Sequence, residues 1–194
     1  MGNVRSVVRA IERSVGARAT VTVTRERADV ARADVLVVPG QGAFGSFARA
    51  VEASGVGDAI REHLQSGRPY FGICLGMQVL FESSDEAPSA RGLGVFAGHV
   101  ARLTPGEDPE TRAPFALPHI GWNAVETSGS PSRYFYFAHS YAVSPSDPAI
   151  VTGTTQYGAA RFVSSIAKGS IVGVQFHPEK SQREGLALLG AVLR

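Results

Sequence analysis

Hydrophobic and polar residues follow different spacings in successive parts of the chain. Apolar residues recur every three or four positions from residue 4 to 15, which predicts an amphipathic helix with Asn3 as its N-cap. Residues 20–24 alternate between threonine and valine, the period of a β-strand. Residues 35–38 and 70–73 are continuously apolar, and such runs are typical of strands buried on both faces of a parallel sheet.

A helical pattern separates the two continuous apolar runs. It covers residues 44–64 and is broken by glycines between positions 55 and 57, with Asp58 as the expected N-cap of its second half. Helices alternate with buried strands in this part of the chain. This order predicts an α/β fold with a mostly parallel, doubly wound sheet and helices on both faces.

The second half of the chain is rich in short β segments separated by Pro, Gly and Ser. These segments cover residues 95–103, 120–125, 133–138, 149–157, 162–167 and 171–176. Such spacing predicts an added antiparallel β region. A final amphipathic pattern from residue 186 to 193 predicts a C-terminal helix.

Composition limits the class of protein. The 194 residues fit a single domain, covering positions 1–194, and 19 Lys and Arg against 17 Asp and Glu give a net charge of +2. The basic residues form no cluster of the kind that nucleic-acid binding requires. No apolar run approaches the length of a membrane span, and one cysteine excludes an intramolecular disulfide. We therefore expect a soluble, cytoplasmic protein.

The single cysteine lies in a segment that suits a nucleophile. Residues 70–81 read YFGICLGMQVLF, in which Gly72 and Gly76 flank Cys74 between a predicted strand and a predicted helix. A nucleophile on a tight strand-to-helix turn needs small neighbours, and a helix N-terminus favours the thiolate. The alternative is an inert core cysteine, which is the commoner role of a lone cysteine in an apolar segment.

His177 is the candidate base for this nucleophile. It directly follows the apolar run 171–176, and Glu179 comes two residues later, where a carboxylate can orient an imidazole. The alternative is a histidine in a turn beside a solvated glutamate.

A third segment, Gly40-Gln41-Gly42, follows another buried strand and can supply backbone N–H groups for an oxyanion. The alternative is an ordinary glycine-rich turn. All three segments meet at one edge of the predicted sheet, which favours an active site.

These segments resemble the class I glutamine amidotransferases, a family with a Cys-His-Glu triad. GICLGMQ at 72–78 is similar to the family's nucleophile segment, and FHPE at 176–179 to its His/Glu segment. Further motifs resemble one branch, the glutaminase subunits of imidazole glycerol phosphate synthases. They are GNVRSV at 2–7, PGQGAFG at 39–45, GLGVFAG at 92–98, PHIGWN at 118–123, YFAHSY at 136–141 and HPEKS at 177–181.

The resemblance implies a mechanism and a set of site residues. Cys74 attacks the side-chain amide of glutamine, His177 relays protons and Glu179 orients His177. The oxyanion is held by backbone N–H groups among Gly40, Gln41, Gly42 and Leu75. The substrate's amino acid end is held by Gln78, Glu82, Ser140 and Tyr141. The resemblance implies no metal or organic cofactor, and the sequence contains no cluster of metal-ligating residues.

The branch also implies a partner. Its glutaminase subunits form heterodimers with a (β/α)₈ cyclase subunit that receives the ammonia and makes imidazole glycerol phosphate and AICAR in histidine biosynthesis. We therefore expect low activity without the partner. The candidate partner-facing residues are Asn3, His119, Trp122, Asn123 and Lys180. The alternatives are partial core burial for Trp122 and a solvated charge for Lys180.

Two features depart from the family pattern. Gln41 stands where the branch often has an apolar residue, which affects the expected oxyanion site. Family members begin with a strand before the segment that Gly2 and Asn3 match, so we expect a truncated N-terminus, a missing first strand and reduced stability. Three other functions stay open. They are the glutaminase of another amidotransferase (anthranilate or pyridoxal phosphate synthesis), a related cysteine hydrolase, and a non-enzymatic binding subunit.

Overall fold

The computed structural model describes residues 2–193, and the side chains from residue 4 to 193. The helices are α1 Gly2–Val15, α2 Arg27–Arg32, α3 Phe44–Ala53, α4 Val56–Gln65, α5 Leu75–Gln78 and α6 Gln182–Val192. The first five strands are β1 Leu36–Gly40, β2 Tyr70–Cys74, β3 Ser83–Ser84, β4 Gly98–Arg102 and β5 His119–Thr127. The others are β6 Ser130–His139, β7 Tyr141–Pro145, β8 Val151–Tyr157, β9 Ala160–Lys168 and β10 Ile171–Val174. Short 3-10 helices cover Gly16–Arg18, Pro148–Ile150 and Pro178–Lys180.

A seven-stranded sheet organises the molecule, in the order β1-β2-β10-β9-β8-β5-β6. β1, β2 and β10 are parallel neighbours, and the remaining strands continue the same sheet with antiparallel pairing. A smaller sheet, β3-β4-β7, lies beside it. The predicted α/β fold, with parallel strands and an added antiparallel region, is confirmed, and the two regions share one sheet.

Apolar side chains pack on both faces of the parallel strands. All five residues of β2 are buried, and they divide between two core clusters: Tyr70 joins one, while Phe71 and Ile73 join the other. Ile60 of α4 belongs to the first cluster and Leu189 of α6 to the second. Helices therefore cover both faces, as a continuously apolar strand predicts. No helix between residues 2 and 193 has the length and hydrophobicity of a membrane span.

Some local predictions were wrong. Residues 20–24 form no strand, since alternation alone does not supply a strand partner. Asn3 is not an N-cap, since α1 has already begun at Gly2. α4 begins before Asp58, with Gly55 as its N-cap at φ +68°, a conformation that glycine adopts readily. Asp58 instead accepts a hydrogen bond from Arg61 at 2.9 Å.

Candidate active site

Cys74 lies on a strained turn at the end of β2. Its backbone has φ +54° and ψ −110°, outside the region that non-glycine residues usually occupy. Glycines make this turn possible: a Cβ on Gly76 would overlap the carbonyl oxygen of Val38, and one on Gly72 would lie 2.6 Å from the carbonyl oxygen of Gly76. The chain can therefore pass from strand to helix so tightly only because both neighbours lack a side chain.

The helix after Cys74 is much shorter than the sequence pattern predicts. α5 ends at Gln78, after four residues, and turns follow. The effect of a helix N-terminus on an anion comes mainly from the free N–H groups of its first turn, which α5 retains.

His177 and Glu179 form a buried pair beside this turn. The two side chains are 4% and 0% exposed, and Nδ1 of His177 lies 2.9 Å from Oε1 of Glu179. A carboxylate oxygen accepts, so Nδ1–H is the donor and Nε2 is left to interact with Cys74. Oε2 of Glu179 has no hydrogen-bond partner within residues 2–193. The buried carboxylate therefore depends on His177 for compensation of its charge.

The charge state of His177 follows from its neighbours. Burial of the ring lowers its pKa, but hydrogen bonds to Cys74 and Glu179, together with their charges, outweigh burial and raise the pKa to about 9. At neutral pH the ring is therefore protonated and can donate a proton next to the cysteine sulfur. This is the property that a general acid needs.

Cys74 and His177 open onto a cavity that contains most of the predicted site. It is lined by Gln41, Gly42, Cys74, Leu75, Gln78, Glu86, Pro118, Ala138, His139, Ser140, Tyr141, His177 and Lys180. Gly40 is absent from this lining: it pairs with Cys74 between β1 and β2, and a Cβ there would overlap Cβ of Leu75. Gly40 therefore allows β1 to approach the nucleophile turn closely, while Gln41 and Gly42 face the cavity.

The structure separates Glu82 from this cavity and brings in Glu86 instead. Glu82 is exposed, and its Oε2 accepts a hydrogen bond from the backbone N–H of Gly98 at 3.0 Å. The prediction that Glu82 contacts the substrate assumed that the helix continues beyond Gln78, whereas the helix ends at that residue. Glu86 is half-buried and accepts a hydrogen bond from the N–H of Phe44 at 2.6 Å. No periodic pattern surrounds Glu86, so no local signal in the sequence identifies it.

The candidate partner-facing residues differ in exposure. Trp122 is 47% exposed, and Lys180 is exposed with its Nζ 5.4 Å from the centre of the Tyr136 ring. Asn123 is half-buried. The side chain of Asn3 lies outside the described residues. Together with Ile120 (61%) and Tyr134 (60%), Trp122 provides exposed apolar surface on β5 and β6.

His119 is buried, which contradicts its placement on the surface. It is 3% exposed and stacks against Phe137 and Tyr157, with ring centres 5.0 and 4.1 Å away. Alternate residues of a strand point to opposite faces, so Ile120 is exposed and His119 turns inward. The sequence places both residues on one strand but does not state which face is covered.

His139, which lines the cavity, is hydrogen-bonded to the buried His119, and both rings are neutral. Nδ1–H of His139 donates to the carbonyl of Tyr141 at 2.9 Å, since a carbonyl can only accept. Nε2 of His139 therefore accepts from Nδ1–H of His119 at 3.3 Å, and Nε2 of His119 accepts from Asn123 at 3.3 Å. Burial lowers the pKa of His119 to about 4 and that of His139 to about 3. Both rings are thus uncharged at neutral pH.

Comparison with known proteins agrees with this geometry. Residues 2–189 match the family model of the class I glutamine amidotransferases. A solved glutamine amidotransferase structure superposes with a TM-score of 0.71 at 21% identity, covering 97% of this chain and 95% of that one. The glutaminase domain of Trypanosoma brucei CTPS gives 0.62 at 19% identity, over 99% and 89%. At these identities the two structures show a shared fold. The family match shows that the chain belongs to the class I glutamine amidotransferases, which are enzymes.

Relatives with higher sequence identity identify the branch of this family to which the chain belongs. The chain is 42% identical to imidazole glycerol phosphate synthase subunit HisH of Thermus thermophilus, over 100% of this chain and 92% of the relative. It is 43% identical to the Aquifex aeolicus protein of the same name, over 97% and 90%, and 44% identical to that of Deinococcus radiodurans, over 97% and 86%. Within the glutamine amidotransferases, the chain belongs to the HisH family.

Proposed function

We propose that the protein hydrolyses glutamine to glutamate and ammonia, with Cys74 as nucleophile, His177 as general acid and base, and Glu179 as the residue that orients His177. The observation that carries this proposal is the placement of Cys74 and His177 on one cavity, with Nδ1 of His177 2.9 Å from Oε1 of the buried Glu179. A cysteine, a base and an orienting carboxylate in this order form the arrangement used in nucleophilic acyl transfer.

The reaction proceeds through two half-reactions. Sγ of Cys74 attacks the side-chain amide carbon of glutamine, and the C–N bond breaks as His177 gives its proton to the departing nitrogen, which leaves as ammonia. His177 then takes a proton from a water molecule, whose oxygen attacks the thioester carbon. The C–S bond breaks, glutamate leaves and the thiolate–imidazolium pair is restored, so one water is consumed for each ammonia released.

The cavity offers groups for both ends of the substrate. Backbone N–H groups of Gln41, Gly42 and Leu75 are the candidates to hold the oxyanion, since these residues line the cavity beside Cys74. Glu86 brings a carboxylate into the cavity and suits the α-ammonium of glutamine. Ser140, Tyr141 and Gln78 supply hydrogen-bonding groups for the remainder of the amino acid end.

The ammonia is used by a partner subunit. We infer that the protein pairs, in the cytoplasm, with the cyclase subunit of imidazole glycerol phosphate synthase and serves histidine biosynthesis, as the HisH relatives' name suggests. The exposed apolar surface around Trp122 supports a docking face there, since Trp122 and the cavity residue Lys180 both lie beside the ring of Tyr136. Exposed clusters of large apolar residues favour protein–protein contact.

Glutamate release from glutamine tests the proposed function. We expect slow release by the purified protein, strong activation by the cyclase subunit with its nucleotide ligand, and loss of both in Cys74→Ala. His177→Asn should behave like Cys74→Ala, while His99→Asn, which changes an exposed histidine on β4, should retain activity. Folded Cys74→Ala protein that still releases glutamate would contradict the mechanism.

Partner binding is tested separately with Trp122→Ala. We expect weaker binding of the cyclase subunit, because truncating a large aromatic side chain at an interface commonly costs about 1–4 kcal/mol. Val23→Ala is the matched control, since Val23 is also exposed but lies outside β5 and β6. Equal affinities for the two variants would remove Trp122 from the interface.

A further inference from the structure

A buried glutamine contacts the sulfur of Cys74 from the side of β10. Gln175 is 0% exposed and lies between the end of β10 and His177. Its Nε2 is 3.5 Å from Sγ of Cys74, and its Oε1 accepts a hydrogen bond from Nε2 of Gln78 at 2.9 Å. The residue therefore joins the nucleophile to a second buried amide.

The direction of these hydrogen bonds is fixed by their partners. An amide nitrogen can only donate, so Nε2 of Gln78 requires the oxygen of Gln175 opposite it, and the nitrogen of Gln175 must face the sulfur. Gln78 gives its other hydrogen to the carbonyl of Tyr141 at 3.0 Å, which fixes Gln78 in turn. The backbone N–H of Gln175 donates to the carbonyl of Ser164 at 2.8 Å. Gln175 is therefore held at two points, through its backbone N–H and through its side-chain oxygen.

A donor in this position favours the ionised sulfur. A buried thiolate needs partners that replace water, and a hydrogen bond to a charged acceptor is stronger than one to a neutral acceptor. The side chains around the sulfur add such partners to the N–H groups of the single turn of α5. His177 supplies one of them. Gln175 supplies a second, which keeps its hydrogen throughout the reaction because an amide does not titrate.

We propose that Gln175 is a further catalytic residue of this site, whose amide hydrogen bond to Sγ holds Cys74 as a thiolate and fixes the direction of its attack, with Gln78 as the positioning residue that orients the amide. The proposal rests on the proposed function for its catalytic meaning. The contact itself can be tested without glutamine turnover.

Alkylation of Cys74 by iodoacetamide measures the contact directly. Cys74 is the only cysteine of the chain, so the rate of modification at each pH reports on this sulfur alone. The other titratable groups that line the cavity are His177, Glu86, His139, Tyr141 and Lys180, and all are unchanged in the variants used. Gln175→Met removes the donor with little change in length. We expect the pH midpoint of alkylation to rise by about one unit, the usual effect of losing one hydrogen bond to a charged group.

Two further variants separate the contact from general disturbance of the core. Ser164→Ala is the matched control, because Ser164 is as buried as Gln175 but its hydroxyl pairs with Thr155 and not with the sulfur. The pH midpoint of Cys74 alkylation in this variant should match that of the wild type. Gln175→Glu keeps an oxygen for Gln78 but replaces the donor by a carboxyl group, so its midpoint should rise at least as much as that of Gln175→Met. Circular dichroism identifies the folded variants.

The outcomes distinguish this proposal from the proposed function. A raised midpoint in a folded Gln175 variant supports the contact even if the wild type fails to release glutamate. An unchanged midpoint in a folded Gln175 variant overturns it even if glutaminase activity is normal. In the complex with the cyclase subunit we expect kcat for glutamine to fall about tenfold with KM nearly unchanged, since the amide acts on the nucleophile rather than on bound substrate.

Discussion

Replacing His139 by asparagine should make the protein less sensitive to acid. His139 is 6% exposed, and burial lowers its pKa from 6.5 to about 3. Above pH 6.5 the ring is neutral in both the folded and the unfolded chain and has no effect on stability. As the pH falls below 6.5, His139 becomes protonated in the unfolded chain but stays neutral in the folded protein. The free energy of unfolding therefore decreases continuously until the pH reaches about 3.

The size of this loss follows from the pKa difference. At pH 5 the unfolded histidine is almost fully protonated and the folded one is not, which lowers the free energy of unfolding by about 2 kcal/mol. His177 acts in the opposite direction: its pKa is raised to about 9, so its stabilising contribution is fully present below pH 6.5 and is lost as the pH rises from there through 9. It is present in both the wild type and the variant, so it cancels in their comparison. His119 acts in the same direction as His139 and remains in the variant.

Urea unfolding of the wild type and His139→Asn at pH 7 and pH 5 provides the assay. Asparagine cannot be protonated and can still donate to the carbonyl of Tyr141, the present partner of His139 at 2.9 Å. We expect the decrease in unfolding free energy between the two pH values to be about 2 kcal/mol smaller in the variant. His99→Asn, at an exposed histidine, should decrease like the wild type. The same decrease in all three proteins would refute the reasoning.

Three further predictions concern the site. Glu179→Gln removes the buried charge that helps to raise the pKa of His177; kcat should fall by about 10²-fold or more, and the pH–rate profile should shift to lower pH. Glu86→Gln should raise KM for glutamine by about 10–100-fold with a smaller effect on kcat, as steady-state kinetics would show, because a charged partner of the substrate ammonium is lost. Gly76→Ala should destabilise the protein by at least about 1–3 kcal/mol in urea unfolding, because its Cβ would overlap the carbonyl oxygen of Val38.

The parallel part of the fold could be predicted from the sequence because each of its strands carries its own signal. β1 and β2 are continuous apolar runs followed by glycines, and these local features specify both the strand and the turn after it. Residues 20–24 show the limit of such reasoning. Alternation describes a strand that has a partner, and no local pattern states whether a neighbouring strand is present.

The same distinction applies to the site. Cys74 and His177 are found by motifs of a few residues, since each follows a strand that ends at the same sheet edge. Glu86 and Gln175 are not, because their roles arise from residues far away in the chain. Gln175 reaches Cys74 across 101 positions, and Glu86 reaches Phe44 across 42. When the role of a residue depends on packing between distant elements, the sequence around that residue contains no motif that identifies it.

His119 shows why such residues matter for understanding the site. Predicted on the surface, it lies instead within a continuous series of hydrogen bonds that begins at Asn123 and passes through His119 and His139 to the carbonyl of Tyr141. The same carbonyl accepts from Gln78, which holds Gln175 against the sulfur of Cys74. The direction of each hydrogen bond follows from its ends. The amide nitrogen of Asn123 can only donate, and the carbonyl of Tyr141, where the series from His119 and the series from Gln78 meet, can only accept. The surroundings of the nucleophile therefore include side chains from β5, β6, α5 and the residue after β10, together with a backbone carbonyl of β7, and a motif at Cys74 alone accounts for only part of them.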